Sequence, residues 1–339
     1  MRQYQHVLKW KRFKSEKKQM QQKVIIDTDP GIDDAMAIHY AFAHPGLEVL
    51  GLTTIFGNVF VPQATRNALL LSEQARYSVD VAEGAAQPLV QSLNPPSHHV
   101  HGAEGFGDVP VKQPCGTQDE MSAADYIVKT CRQHSGEVIL CPVGPLTNIA
   151  AALKADPDLV NHVQKVVIMG GAVWSPGNVS AYAEANIWND PHAADEVFAA
   201  DWDIDLIGLD VTQKISCDDA DFAYLRKAAP DIGGFLHEIS AFYIKYYHSI
   251  FQKHVCLMHD PSALVAITDE LLFGFKETPL SVVCDGEAVG QTMPDERSSR
   301  RPVRVAVSAD VQRVKSCFLD ICATADKMKR NRMASHAGS

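Results

Sequence analysis

Four carboxylates, Asp27, Asp29, Asp33 and Asp34, stand within eight residues directly behind the apolar run Val24-Ile25-Ile26. The run reads as a buried strand and residues 34–43 as the amphipathic helix after it, so the acids fall where the strand ends. Like charges crowded there repel one another, and a cation or shared protons must offset the repulsion. A hard metal is the simplest answer. Asp29 and Asp34 lie on either side of the Pro30-Gly31 turn, and Ca²⁺ accepts about six to eight oxygens in irregular geometry. Helix capping explains one or two of these acids but not four.

The strand pattern recurs at residues 47–54, 137–143, 163–169 and 203–209, with a helix at 148–154. This alternation predicts a single α/β domain with a mainly parallel, Rossmann-like sheet flanked by helices and an active site at the C-terminal ends of the strands. Residues 23–326 form that domain, between a basic, disordered extension (1–22) and a polar, frayed tail (327–339). The loop at 93–107, with His98, His99, His101 and Gly102, is expected to be mobile.

Charge narrows the partners. Residues 1–23 carry eight Lys/Arg against the single acid Glu16, so the rest of the chain is more acidic than the net charge of −10 indicates. An acidic body argues against nucleic acid as a partner. No run approaches a membrane span and no secretory signal precedes the first strand, which points to a cytoplasmic protein. The eight cysteines form no CxxC pair, so neither a zinc site nor a disulfide framework is expected.

The segment DTDPGIDD resembles the DxDPGxDD signature of the inosine-uridine-preferring nucleoside hydrolase family. Further blocks stand in that family's order: Phe56-Gly57-Asn58, His101-Gly102, the run from Pro142 to Asn148, Met169-Gly170-Gly171, Gly177-Asn178 through Glu184-Ala185-Asn186, and His259-Asp260-Pro261. The resemblance runs from about residue 23 to about residue 310. It implies hydrolysis of the N-glycosidic bond of ribonucleosides to base and ribose, in nucleoside salvage, by a homodimer or homotetramer.

The resemblance also implies a site. Ca²⁺ would be held by Asp29, Asp34, the main-chain carbonyl of Val143 and Asp260, with Asp29 the general base. Asp33 would bind a ribose hydroxyl and Asp27 would brace the loop from behind. Asn178 and Glu184 would hold the 5′-hydroxyl, and Asn186 and Asn58 the 2′ and 3′ hydroxyls. Taken singly, an Asn or Glu there is more often a cap or a solvated loop residue.

His259 precedes a proposed ligand and is a candidate proton donor to the leaving base, since histidine titrates near neutral pH. His101 is a second candidate for base contact. Tyr243, Tyr247 and Phe251 recur at four-residue spacing on one face of an aromatic helix, a stripe that usually means core. In the family the corresponding helix borders the base, so Tyr247 and Phe251 are candidates to stack on it. Pyrimidine ribosides, or a broad inosine and uridine preference, are expected.

Two other classes compete. A phosphohydrolase of the haloacid dehalogenase type would use Asp27 as nucleophile with Mg²⁺, but Pro30-Gly31 follows the second aspartate where its motif needs other residues. A non-catalytic, Ca²⁺-dependent ribose or nucleoside sensor would use the same ligands without turnover. A phosphorylase needs a phosphate cradle, and no Gly-rich anion loop or Arg pair stands near these blocks.

Overall fold

The computed structural model describes residues 21–337. Its centre is an eight-stranded sheet built from β1 (Gln22–Thr28), β2 (Leu47–Thr54), β3 (Asp80–Glu83), β4 (Val138–Pro142), β5 (Val163–Met169), β6 (Ile204–Ile207), β7 (Phe273–Thr278) and β8 (Val303–Ala309). The spatial order is β3-β2-β1-β4-β5-β6-β8-β7, and every pairing is parallel except β8 with the edge strand β7. Separate apolar clusters cover the two faces, which is why the inner strands read as continuous apolar runs rather than alternating ones.

Strand order reverses beside β1, between β2 and β4, and ligands of such sheets bind beyond that point. Helices α1 (Ile32–Ala43), α2 (Val61–Ala75) and α4 (Thr147–Ala155) follow β1, β2 and β4 at this end of the sheet, with the short α3 (His98–His101) between α2 and α4. Helix α1 is buried along its whole length, so Asp33 and Asp34 enter the interior in its first turn, at the positive end of its dipole.

Two expectations change. The loop at 93–107 contains α3 and places His101 in the interior, where its Nδ1 accepts the Ile32 N–H at 3.1 Å. Gly102, Gly105 and Gly107 have positive φ there, and a Cβ on Gly102 would lie 2.3 Å from the Gly107 carbonyl oxygen. The polar tail is helical over Ala325–Ala337. It is pinned by Arg332, whose guanidinium donates to the Phe42 and Ala75 carbonyls at the C-terminal ends of α1 and α2 and lies 5.1 Å from the Tyr77 ring centre. A cation there answers unpaired carbonyls and the negative end of two helix dipoles. Arg332→Ala should therefore cost about 1–2 kcal/mol and lower Tm by a few degrees in a thermal melt. Catalytic constants should not move, because this contact lies at the C-terminal end of α1, whereas the acids lie at its first turn. The expected N-terminal extension lies outside the described residues apart from its last two, and Gln22 already opens β1.

Candidate active site

The end of β1 and the first turn of α1 bring Asp27, Asp29, Asp33 and Asp34 together, and none is more than 5% exposed. Asp27 accepts from Thr53 Oγ1 (2.5 Å) and Asn148 Nδ2 (2.8 Å), and Asn148 also bonds the Thr54 carbonyl, so this carboxylate ties β1 to β2 and α4. Asp34 accepts from Thr28 Oγ1 (2.6 Å), the Gly31 N–H (2.9 Å) and Asn58 Nδ2 (3.0 Å). Asp29 Oδ2 accepts the Asn58 N–H at 2.6 Å, whereas its Oδ1 is buried without a hydrogen-bond partner among the described residues. Gly57 lets the chain pass this close, since a Cβ there would stand 2.1 Å from Asp29 Oδ2.

Asp260 joins them from the first turn of the helix His259–Thr268. Carboxylate oxygens of Asp33, Asp34 and Asp260 fall within 4.8 Å of one another. Burial first, and then repulsion from the neighbouring acids, pushes the Asp29, Asp33 and Asp260 carboxyls above the usual carboxylate range. Every group here is a hard oxygen donor, two buried oxygens, Asp27 Oδ2 and Asp29 Oδ1, lack any partner, and no lysine or arginine among the described residues pairs with these acids. The residues therefore fit a divalent, oxygen-seeking cation. Asp33 offers an oxygen to that cluster as readily as Asp34 does.

A cavity of about 610 Å³ opens above this floor. Of the residues singled out from the sequence, Asp33, Asn58, His101, Val143, Asn178, Glu184, Asn186, Tyr247, Phe251, His259 and Asp260 line it, while Asp27, Asp29 and Asp34 lie beneath. Glu184 caps the short helix Ala185–Asn189: its Oε2 accepts from the Gly171, Asn186 and Ile187 N–H groups, so the cap and the cavity wall are one residue. Asn186 spends its Nδ2 on the Val143 (2.9 Å) and Met169 (3.1 Å) carbonyls, which leaves Oδ1 as its acceptor. Asn178 is exposed at the rim and holds the Ala185 N–H through Oδ1.

The far wall is the helix Ile232–Phe251. Tyr247 and Tyr243 are buried there, and Phe251 stacks on Tyr247 with ring centres 5.7 Å apart while staying half exposed at the mouth. Tyr243 donates to Asp33 Oδ2 at 3.2 Å and lies 3.3 Å from the Tyr247 hydroxyl, which is 2.9 Å from His259 Nε2. Burial drives the His259 pKa down to about 4, so the ring is neutral rather than poised near pH 7. His101 sits at the acidic end, Nδ1 3.8 Å from Asp33 Oδ1, with its ring 5.4 Å from Tyr243.

Several lining or supporting residues were not singled out as site residues from the sequence. Tyr243 shares the helical stripe with Tyr247, so the four-residue spacing carried that signal. His99 and Tyr246 meet edge-on at the mouth (5.8 Å). Thr212 bonds His259 Nδ1 at 2.8 Å from 47 residues away, and no local pattern marks it. Trp188 lines the cavity but Trp174 does not; Lys276 lies 4.6 Å over its ring outside the site.

Comparison with known proteins agrees with this architecture. Residues 24–316 match the family model described as inosine-uridine preferring nucleoside hydrolase. Uridine nucleosidase 1 of Arabidopsis thaliana is 40% identical over 304 residues, covering 86% of this chain and 90% of that protein. Among solved structures, a plant nucleoside hydrolase superposes with a TM-score of 0.86 at 36% identity, over 89% of this chain and 99% of its own. A purine-preferring ribonucleoside hydrolase from Gardnerella vaginalis superposes with a TM-score of 0.87 at 33% identity, over 90% and 99% of the two chains.

Proposed function

The chain belongs to the inosine-uridine preferring nucleoside hydrolase family and is an enzyme that hydrolyses the N-glycosidic bond, and from that premise we propose how its own residues do so and on what. The substrates are uridine and inosine ribosides, and the ion is Ca²⁺, held by Asp29, Asp34, the Val143 carbonyl and Asp260 with Asp33 beside them. The observation that carries this reading is the partnerless, buried Asp29 Oδ1 in a carboxylate cluster at the floor of a cavity walled by amides and phenols.

A divalent cation there would neutralise the cluster and acidify a water in contact with it. Asp29 takes a proton from the attacking water, whose oxygen bonds to the anomeric carbon. Asp33, the Oδ1 atoms of Asn58 and Asn186, and Glu184 with Asn178 hold the ribose hydroxyls, fixing the sugar while charge develops on its ring. Asp27 braces the loop from beneath: Thr53 and Asn148 hold its Oδ1 and it does not line the cavity, which weighs against an aspartyl-phosphate mechanism. The C–N bonding pair leaves with the base, which takes a proton from the Tyr247–His259 pair. Both residues line the cavity, and the Tyr247 hydroxyl engages His259 Nε2 at 2.9 Å, so the histidine acts through the phenol. Phe251, His99 and Tyr246 border the base at the mouth, while His101 steadies Asp33 and Tyr243.

We place the activity in cytoplasmic nucleoside salvage, with residues 23–326 as the catalytic domain of a homodimer or homotetramer. No helix among the described residues is long and apolar enough to cross a membrane. Uridine serves as the first substrate to test because the Arabidopsis relative is named for it. A hydrogen bond that a ribose hydroxyl donates to a carboxylate strengthens as the glycosidic bond breaks and is worth about 1.5–3 kcal/mol. Deoxyuridine should accordingly show kcat/KM at least about 100-fold below uridine; comparable values for the two would remove the ribose assignments.

A further inference from the structure

The proton donor of the reading above is a chain of hydrogen bonds, and its far end is Thr212. This residue closes the short helix Leu209–Thr212 and is fully buried. Its N–H bonds the Gly208 carbonyl and its own carbonyl takes the Ile215 N–H, so the backbone is fixed. Its hydroxyl makes one hydrogen bond among the described residues, to His259 Nδ1 at 2.8 Å. A helical threonine often turns its hydroxyl onto the carbonyl four residues back, but here that carbonyl is held by the backbone and the hydroxyl faces the ring instead.

A buried hydroxyl must place its hydrogen on an acceptor, and Nδ1 is the acceptor in reach. Nδ1 then carries no hydrogen, and a neutral imidazole has its single one on Nε2. That hydrogen points at the Tyr247 oxygen, 2.9 Å away. Tyr247 is thereby supplied with a donor and keeps its own hydrogen for another partner. Tyr243 cannot compete for the histidine, because its hydrogen goes to Asp33 Oδ2 at 3.2 Å. All the donors face the same way: Thr212 to His259, His259 to Tyr247, Tyr247 to Tyr243 or to a base in the cavity, and Tyr243 to Asp33. With Nδ1 protonated instead, Nε2 would draw the Tyr247 hydrogen toward itself and away from the cavity.

We propose that Thr212 is a positioning residue which fixes His259 as the Nε2–H tautomer and so keeps the Tyr247 hydroxyl hydrogen available to the leaving base. This rests on the proton-donor reading of the Tyr247–His259 pair. The test compares Thr212→Val, which keeps the shape and removes the hydroxyl, with Thr212→Ser, which keeps the hydroxyl. Both are assayed on uridine and on 4-nitrophenyl riboside, whose leaving group departs without a proton, with Tyr247→Phe as the reference.

Thr212→Val is expected to lower kcat on uridine about 10- to 100-fold, a fraction of the full acid contribution. Its KM should stay within about twofold, its turnover of the aryl riboside should be unchanged, and Thr212→Ser should restore most of the loss. Nitrogen-15 histidine spectra, with His259→Asn to assign the signal, should show the wild-type ring protonated at Nε2. Equal losses on both substrates would make Thr212 merely structural, and protonation at Nδ1 would overturn the tautomer; either ends the proposal. If Tyr247→Phe slows uridine but Thr212→Val does not, the Thr212 role alone fails. If Tyr247→Phe leaves uridine turnover intact, the donor reading fails and the role of Thr212 with it.

Discussion

Asp29→Asn is expected to lower kcat on uridine by about 10³-fold, within the 10²–10⁴ range that a positioned general base contributes. The substitution keeps the shape of a side chain wedged between Gly57 and Gly144, where an added Cβ would stand 2.1 Å and 2.7 Å from its two oxygens. Its amide oxygen can go on accepting the Asn58 N–H that Oδ2 accepts now. The amide nitrogen replaces the partnerless Oδ1 and cannot take a proton from water. Folding should survive, because the cluster loses one of its repelling charges. Kinetics at saturating Ca²⁺, with a thermal melt alongside, check this; wild-type kcat in the variant would remove Asp29 from the reaction.

Asp260→Asn should abolish detectable turnover and change stability in a direction that depends on the metal. In a chelator, wild-type protein folds with carboxylates of Asp33, Asp34 and Asp260 within 4.8 Å of one another, and burial followed by that repulsion raises the Asp260 carboxyl well above its usual range. Removing one charge relieves this, so the variant should melt above wild type in the absence of metal. A ligand that binds only the native state stabilises it by about 2.7 kcal/mol at 100 times Kd, so added Ca²⁺ should raise wild-type Tm by several degrees. The variant should respond little. Thermal melts of both proteins in chelator and across a Ca²⁺ titration decide it, and a variant that melts lower in chelator yet responds fully to Ca²⁺ would contradict the cluster's role.

The parts of the fold that were legible are those where local pattern and tertiary burial agree. Val24-Ile25-Ile26 and the runs at 138–142 and 166–169 are buried on both faces, so their unbroken apolar character survives in the sequence. The acidic loop was legible for the opposite reason, since no ordinary capping requirement produces four aspartates. Polar stretches misled. Residues 93–107 have the composition of an open loop, but the N–H of Ile32 claims His101 and three positive-φ glycines fold the segment inward. The tail is mostly polar and is held as a helix by Arg332 bridging two helix ends and by Asp326 and Lys329, which bond the N-terminal end of the helix Ile232–Phe251. In the site, the stripe of Tyr243 and Tyr247 was visible from spacing, but that the Tyr247 hydroxyl meets His259 Nε2 was not. Nor was Thr212, because hydrogen bonds across tens of residues leave no local trace.

The central claim is metal-dependent hydrolysis of ribonucleosides at this carboxylate floor. Its most direct test is free ribose released from uridine by the purified full chain in phosphate-free buffer, measured before chelation, after chelation and after Ca²⁺ is restored. Release without phosphate, loss on chelation and recovery with Ca²⁺ are expected. Ribose release that persists in chelator, or release that requires phosphate and yields ribose 1-phosphate instead, would contradict it.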